Sequence, residues 1–281
     1  MNRFPAWLRN LMAGIAGLAL FLCLTIMFVP AGELQRLAAR TIAPYGLTIG
    51  ASSFSKTFPL GIKAKRFTLS GQSGELLSFD RLDLRLKLLP LFIGRVVISA
   101  KATIGSGAIA SETELTRRGR VALSCQNVRL EAIPFFKTFA GAEAKGDLRI
   151  KGDIAGQGIG AKGALQIEAR DLDLKGVTIS GTPLPNASYR TMQGMLRVKN
   201  GKVNLESVTL QGDGLYVRLS GDFPSGNQPA ATPLNLKVEL MPKPEFLESQ
   251  KFVFLLLAKY TVSPGNYLLP ISGTLAAPQL Q

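Results

Sequence analysis

The sequence predicts a mainly β protein: a single N-terminal transmembrane helix, then an elongated antiparallel β-sheet arranged as a sandwich or groove. A short juxtamembrane helix joins the two parts and a C-terminal helix caps one end. Three observations predict this class. Leu11 to Val29 carries no charge, and apolar residues recur at every second position through most of the stretch from Leu47 to Leu240. No series of amphipathic helices interrupts that alternation, which argues against βαβ units and for antiparallel pairing through short turns. The chain therefore divides into a cytoplasmic tail at 1–10, a transmembrane helix at 11–29, a juxtamembrane amphipathic helix at 30–46 and a β-rich domain at 47–281.

The first element is justified by its length, because a spanning helix needs ~20 apolar residues whereas a signal peptide has a shorter apolar stretch and a small-residue cleavage site. The run instead ends in Phe28-Val29-Pro30-Ala31-Gly32, a poor cleavage site. Arg3 and Arg9 precede the span and Glu33 is the first charge after it. The positive-inside rule then puts the N-terminus in the cytoplasm, with Leu11, Phe21 and Val29 marking the start, middle and end of the span. Beyond it, Leu34, Leu37, Ala38, Thr41 and Ile42 follow helical spacing until Pro44 and Gly46. Such a helix lies at the membrane surface, with Arg36 and Arg40 in reach of lipid phosphates, or caps the following domain; the two placements are compatible.

Strand alternation is clearest where Leu82, Leu84, Leu86 and Leu88 interleave with Asp83, Arg85 and Lys87, and recurs over Leu148 to Ile154 and Leu234 to Leu240. Asn200-Gly201 separates two alternating runs and supplies the positive-φ pair of a type I′ hairpin. Parity breaks between Leu205 and Val208, which predicts a bulge near Glu206-Ser207. Glu245 to Tyr260 has helical length and contains Phe252-Val253-Phe254-Leu255-Leu256-Leu257-Ala258, too short to span a bilayer but apolar enough to dock on the β-structure. A last strand is expected through Ile271 and Leu275.

Composition removes many chemistries. The 281 residues include no His and only 2 Cys. This excludes His-dependent triads, His-ligated metals, Cys₄ zinc sites and four-thiolate clusters. No metal ligand set, cofactor site or catalytic residue is nominated. Gly158 to Gly163 matches GxGxxG, yet Ala164 to Ala169 continues as a strand where dinucleotide binding needs a helix, so it reads as a hairpin loop. Asp80/Asp83, Glu112/Glu114 and Asp171/Asp173 have basic neighbours and read as solvated surface, and Ser55-Lys56 lacks an SxxK context. The formal charge of +14 suits nucleic acid, anionic lipid or an acidic protein. A domain across the membrane from the cytoplasm meets no cellular nucleic acid, which leaves the other two. Its apolar strand face either fills a closed core or lines a groove open to a ligand.

The stretch PLNLKVELMPKPEFLESQKFVFLLLAKYTVSPGNYLLPISGTLAAPQL, from Pro233 to Leu280, resembles the type II secretion system protein N family. Gly181-Thr182-Pro183-Leu184-Pro185 and Gly212-Asp213-Gly214-Leu215 fit the same pattern. Leu88-Leu89-Pro90-Leu91-Phe92-Ile93-Gly94 and Gly273 to Pro278 also resemble the wider AsmA-like group of envelope proteins. The resemblance implies a non-enzymatic Gram-negative inner-membrane subunit with a periplasmic β-domain. Its implied partners are other secretion subunits, the inner membrane and anionic lipid, with no catalytic or cofactor residues to carry over. The AsmA-like group implies an alternative, a lipid-binding or lipid-transfer protein with a hydrophobic β-groove.

Overall fold

The computed structural model describes residues 31–281 apart from 44–45, 59, 72–73, 117–118, 157–159, 224–232 and 275–277. The expected tail and span, with Arg3, Arg9, Leu11, Phe21 and Val29, lie outside the described residues. Among the described residues, no helix is long and apolar enough to cross a membrane. The first element is α1 (Ala31–Ile42), with Glu33 in its first turn and Arg40 in its last, each placed to complement the helix dipole.

The chain then forms one antiparallel sheet. Its first strands are β1 (Thr48–Gly50), β2 (Ser53–Thr57), β3 (Gly61–Gly71), β4 (Gly74–Lys87), β5 (Val97–Ile104), β6 (Gly107–Glu114) and β7 (Arg120–Arg129). They continue as β8 (Glu143–Ala155) and β9 (Lys162–Lys175). After a separate ribbon of β10 (Thr178–Ile179) and β11 (Thr182–Pro183) come β12 (Ala187–Lys199), β13 (Lys202–Gly212), β14 (Leu215–Phe223) and β15 (Asn235–Pro242). The last are β16 (Thr261–Ser263), β17 (Asn266–Gly273) and β18 (Pro278–Leu280). Spatial order follows chain order from β3 to β15, then β17 and β16; β1 and β2 share the outer edge of β3, and β18 lies on β17. One 16-stranded sheet thus replaces the expected option of a two-sheet sandwich.

The sheet has two rims. At the near rim β2 ends, β3 begins, and the chain turns at 88–96, 115–119, 156–161 and 200–201. At the far rim it turns at 105–106, 130–142, 176–186, 213–214 and 243–265. The near-rim turn contains α2 (Leu88–Leu91), so the strand expected to reach Leu88 stops at Lys87. Pro90 explains the stop, since it brings no amide to a ladder. At the far rim β7 ends at Arg129, and Leu130, two residues beyond Val128, opens a 3₁₀ turn instead of continuing the strand. There too stand α3 (Phe135–Ala140), α4 (Pro244–Ser249) and α5 (Lys251–Leu256). The single helix expected over Glu245 to Tyr260 is broken at Gln250, whose φ of −123° and ψ of 33° leave the helical region, and ends in a 3₁₀ turn at Ala258–Tyr260. The strand expected through Ile271 and Leu275 is β17, which ends at Gly273, where φ is 81°; Leu275 lies outside the described residues, and β18 follows as a further strand.

Other local expectations hold in the backbone. Asn200 and Gly201 have φ of 53° and 74°, the pair a type I′ turn requires. The register of β13 with β14 shifts between Leu205 and Val208, placing a bulge at Glu206-Ser207. Further irregularities at Asn127 on β7 and at Gly146 on β8 bend the sheet, because a bulge adds local twist. This curl, with the far-rim helices, closes the main core. Leu257 and Leu269 are fully buried, Phe254 stacks at 5.1 Å from Tyr267, and Phe246 meets Phe254 edge-on at 6.1 Å. Gln250, at the break between α4 and α5, clamps this cap onto Asn186, the residue just before β12. Its Nε2 donates to Asn186 O at 2.6 Å and its Oε1 accepts from Asn186 N at 2.9 Å.

Leu257→Ala should cost about 3–4 kcal/mol, the range for a fully enclosed leucine that leaves a cavity. Leu84→Ala, on a half-buried position of the inner face, should cost about 1–2 kcal/mol. Urea unfolding of the detergent-solubilised chain measures both, and equal losses would contradict the unequal sealing of the two halves.

Candidate binding surface

The side chains of the inner face line up across the strands. One lane runs Ala64, Leu82, Ala102, Ile109, Cys125, Ile150 and Ile167, each directly opposite the next. It continues through Gly194, Val208, Leu219, Val238 and Leu269. A parallel lane, nearer the near rim, runs Ile62, Leu84, Ala100, Ser111, Leu123, Gly152 and Leu165. Its remainder is Leu196, Leu205, Gly221, Leu236 and Ile271. Cross-strand neighbours on one face lie about 4.5–5.5 Å apart at Cβ, so each lane is a continuous apolar strip.

Coverage of these strips changes along the sheet. In the second lane Leu205, Leu236 and Ile271 are buried, whereas every residue from Ile62 to Leu196 is only half-buried. Beyond it, Leu86, Ile98, Thr113, Val121 and Ile154 form a third lane closer to the near rim, and Val121 there is exposed. Toward the near rim the inner face is therefore sealed over β13 to β17 and only half-covered, as an apolar trough, over β3 to β9, while further from that rim Ala102, Ile104, Cys125 and Val128 are buried there too. Glycines let neighbouring strands approach within the trough: a Cβ on Gly152 would come within 2.1 Å of Ala164 O. Cys125 is buried in the first lane, and that burial pushes its thiol up, away from the reactive thiolate.

The outer face is polar, and several of its carboxylates are matched by neighbouring cations. Arg85 pairs with Asp83 at 2.8 Å, Lys87 with Glu112 at 2.6 Å, Lys175 with Asp173 at 2.9 Å and Arg197 with Glu206 at 2.8 Å. Arg95 grips Glu114 through both carboxylate oxygens. These contacts hold carboxyls below their ordinary values: Asp83 chiefly through its hydrogen bond from Arg85, Glu114 through Arg95, and Asp173 through Lys175 and then Ser188. Asp80 accepts a hydrogen bond from the Gly105 amide at 2.7 Å, and Asp171 is an exposed positive-φ residue. The carboxylate pairs singled out in the sequence are thus spread along strand rims and ladders. An open concavity of about 410 Å³ is lined by Ser124, Cys125, Gln126, Arg149, Lys151 and Glu168 among others. Among the described residues no group of His, Cys, Asp or Glu is arranged to hold a metal ion.

The chain matches no family model, no curated protein and no solved structure. The site must therefore be read from its own geometry. Of the expected membrane contacts, Arg36 and Arg40 both lie exposed on α1, but Arg36 is already engaged by Glu33 at 2.7 Å. The helix rests against β1 and β2, which fits the edge-capping placement. The GxGxxG run falls in the β8–β9 hairpin, with residues 157–159 outside the described residues and β9 beginning at Lys162. The Gln250–Asn186 clamp carries no sequence signal, since neither residue belongs to a motif.

The depressed carboxyls set a pH dependence. Their stabilisation is fully present above the ordinary carboxylate range and is lost as pH falls through the lower folded values. The thermal midpoint should stay level from neutrality to about pH 5 and decline below about pH 4, and a midpoint unchanged down to about pH 2 would contradict the paired ladder.

Proposed function

We propose that this chain is a non-enzymatic inner-membrane subunit of the type II protein secretion machinery. It is held by the span at 11–29 and acts through a periplasmic β-domain in assembly or protein–protein contact. The observation that carries the reading is an apolar trough over the near-rim half of β3 to β9, beside an outer face several of whose carboxylates are matched by neighbouring cations. The resemblance of Pro233 to Leu280 to the secretion protein N family supplies the system. That stretch forms β15, the far-rim cap, β17 and β18, the part of the molecule that seals the core. A contact subunit needs such a rigid end, because a recognition surface on a stable scaffold loses less conformational freedom on binding.

A second reading is favoured by the half-buried lanes themselves. Ile62, Leu84, Leu123 and Leu165 line a strip suited to acyl chains, as the AsmA-like resemblance implies. The two readings separate in one experiment. Crosslinking from trough positions in native membranes should recover secretion subunits, and deletion of the gene should impair secretion. Recovery of lipid alone, with secretion intact in the deletion strain, would sink the first reading and favour the second.

A further inference from the structure

The near rim carries two features that the fold does not use. The first is a cluster of bare apolar side chains: Phe58 is 77% exposed, Leu89 82%, Ile93 71%, Leu115 52% and Phe92 49%. They are neighbours by topology. The Leu86 amide donates to Leu60 O, which brings the approach to β3 beside the end of β4, and the Leu115 amide donates to Val96 O, which brings the end of β6 beside the same turn. That turn is stiff. Ile93 N and Arg95 N both donate to Pro90 O, at 3.1 and 2.9 Å, Gly94 N donates to Leu91 O at 3.0 Å, and Arg95 is held by Glu114. Its backbone needs are therefore largely met within the turn, so its side chains can enter an apolar phase without stranding those amides.

The second feature lies further along the same rim. Lys162 on β9 is directly opposite Lys199 on β12, and Lys199 is directly opposite Lys202 on β13. Like charges in that relation destabilise a ladder. Among the described residues none of the three pairs with a carboxylate, although most other basic side chains near the rim, Lys87, Arg95 and Arg120 included, do. Three strand steps of about 4.8 Å separate β6 from β9, so the lysine row begins about 14 Å along the rim from Leu115.

We infer that the near rim is a membrane-docking edge: Phe58 and the 89–93 turn sit in the interfacial layer of an anionic bilayer while Lys162, Lys199 and Lys202 engage its headgroup phosphates. An apolar patch beside unpaired cations is the composition that binds such an interface. The path of the chain selects the bilayer as the occupant. β1 and β2 run along β3 from the far rim toward the near rim, and α1 touches both while its C-terminus connects to β1 through a short turn. Ala31 thus lies on the β2 side, toward the near rim, and the uncharged stretch Leu11 to Val29 precedes it closely. The inference rests on the anchored topology proposed above and not on the secretion assignment. It orients the strands upright on the membrane, with the sealed core and its cap pointing away.

The test uses the full chain in proteoliposomes. Trp7 is the sole tryptophan, so Trp7→Phe with Phe92→Trp leaves one emitter at the near rim, and Trp7→Phe with Phe252→Trp leaves one at the far rim. Vesicles of phosphatidylglycerol and phosphatidylcholine with brominated acyl chains should quench and blue-shift the emitter at position 92 and spare that at 252. Each lysine near an anionic surface contributes about fivefold, so K162E/K199E/K202E should lower the docking equilibrium on the order of a hundredfold, and high salt should act the same way on the unaltered lysines. A chain resistant to carbonate extraction whose position-92 emitter stays unquenched overturns the docking edge alone. So does quenching at 252 instead, or protection of position 92 by a crosslinked second copy. Extraction by carbonate overturns the anchored topology and the inference with it.

Discussion

An antiparallel sheet with one apolar face must have that face covered, and the rest of this structure follows from how incompletely the chain does so. Over β13 to β17 the curl of the sheet and the far-rim helices enclose Leu205, Leu236, Leu257 and Leu269. Over β3 to β9 the same periodicity continues, but cover arrives only at the far rim, where the 130–133 turn packs over Ile104, Cys125 and Val128 and α3 rests against β4 and β8. Small residues in the strips, Ala100, Gly152 and Gly194 among them, keep strands close without filling the space above them. Burial of about 25 cal/mol per Å² of apolar surface is thus collected in one half and left partly uncollected in the other.

The outer face does not make up the difference. Its ion pairs are largely exposed, and exposed pairs contribute only about 0–1 kcal/mol each. Their effect is on specificity of register: Lys87 with Glu112 bridges β4 to the strand beyond its neighbour, and Arg197 with Glu206 joins β12 to β13. The same pairing sets the proton chemistry of Asp83, Glu114 and Asp173. A carboxylate held ionised by an adjacent guanidinium is a poor proton donor and a poor general base.

Strand identity could be read from sequence because one-sided burial imposes a period of two, and Leu82 to Leu86 or Leu234 to Leu240 had no other use for it. The Asn200-Gly201 turn and the bulge at Glu206-Ser207 were readable for the same local reason. Curvature was not. It depends on positive-φ residues such as Arg66, Asn127 and Asp171, and neither an arginine nor an aspartate within a polar stretch announces that conformation. The short helices α2 and α3 complete too few turns to show a helical period, and the break at Gln250 is set by its tertiary bonds to Asn186. Whether the apolar face was sealed or open could not be read at all, because half-buried Leu123 and buried Leu205 occupy equivalent places in the same alternation.

The two rims are unequal in a way that ties stability to use. Four of the five described helices stand on the sheet's edge or its far rim, and the near rim has only the short α2, of whose leucines Leu89 is uncovered by the fold and Leu88 and Leu91 are half-buried. Local stability therefore rises from the near rim toward the cap, since regions with few buried apolar contacts open first. A binding protein gains from that gradient. The sealed half anchors its end of a lane that runs continuously across the sheet, while the open half keeps its apolar strip available without needing to unfold anything to expose it. Closing the trough with a second layer would add stability but remove the one surface on which the proposed contacts depend.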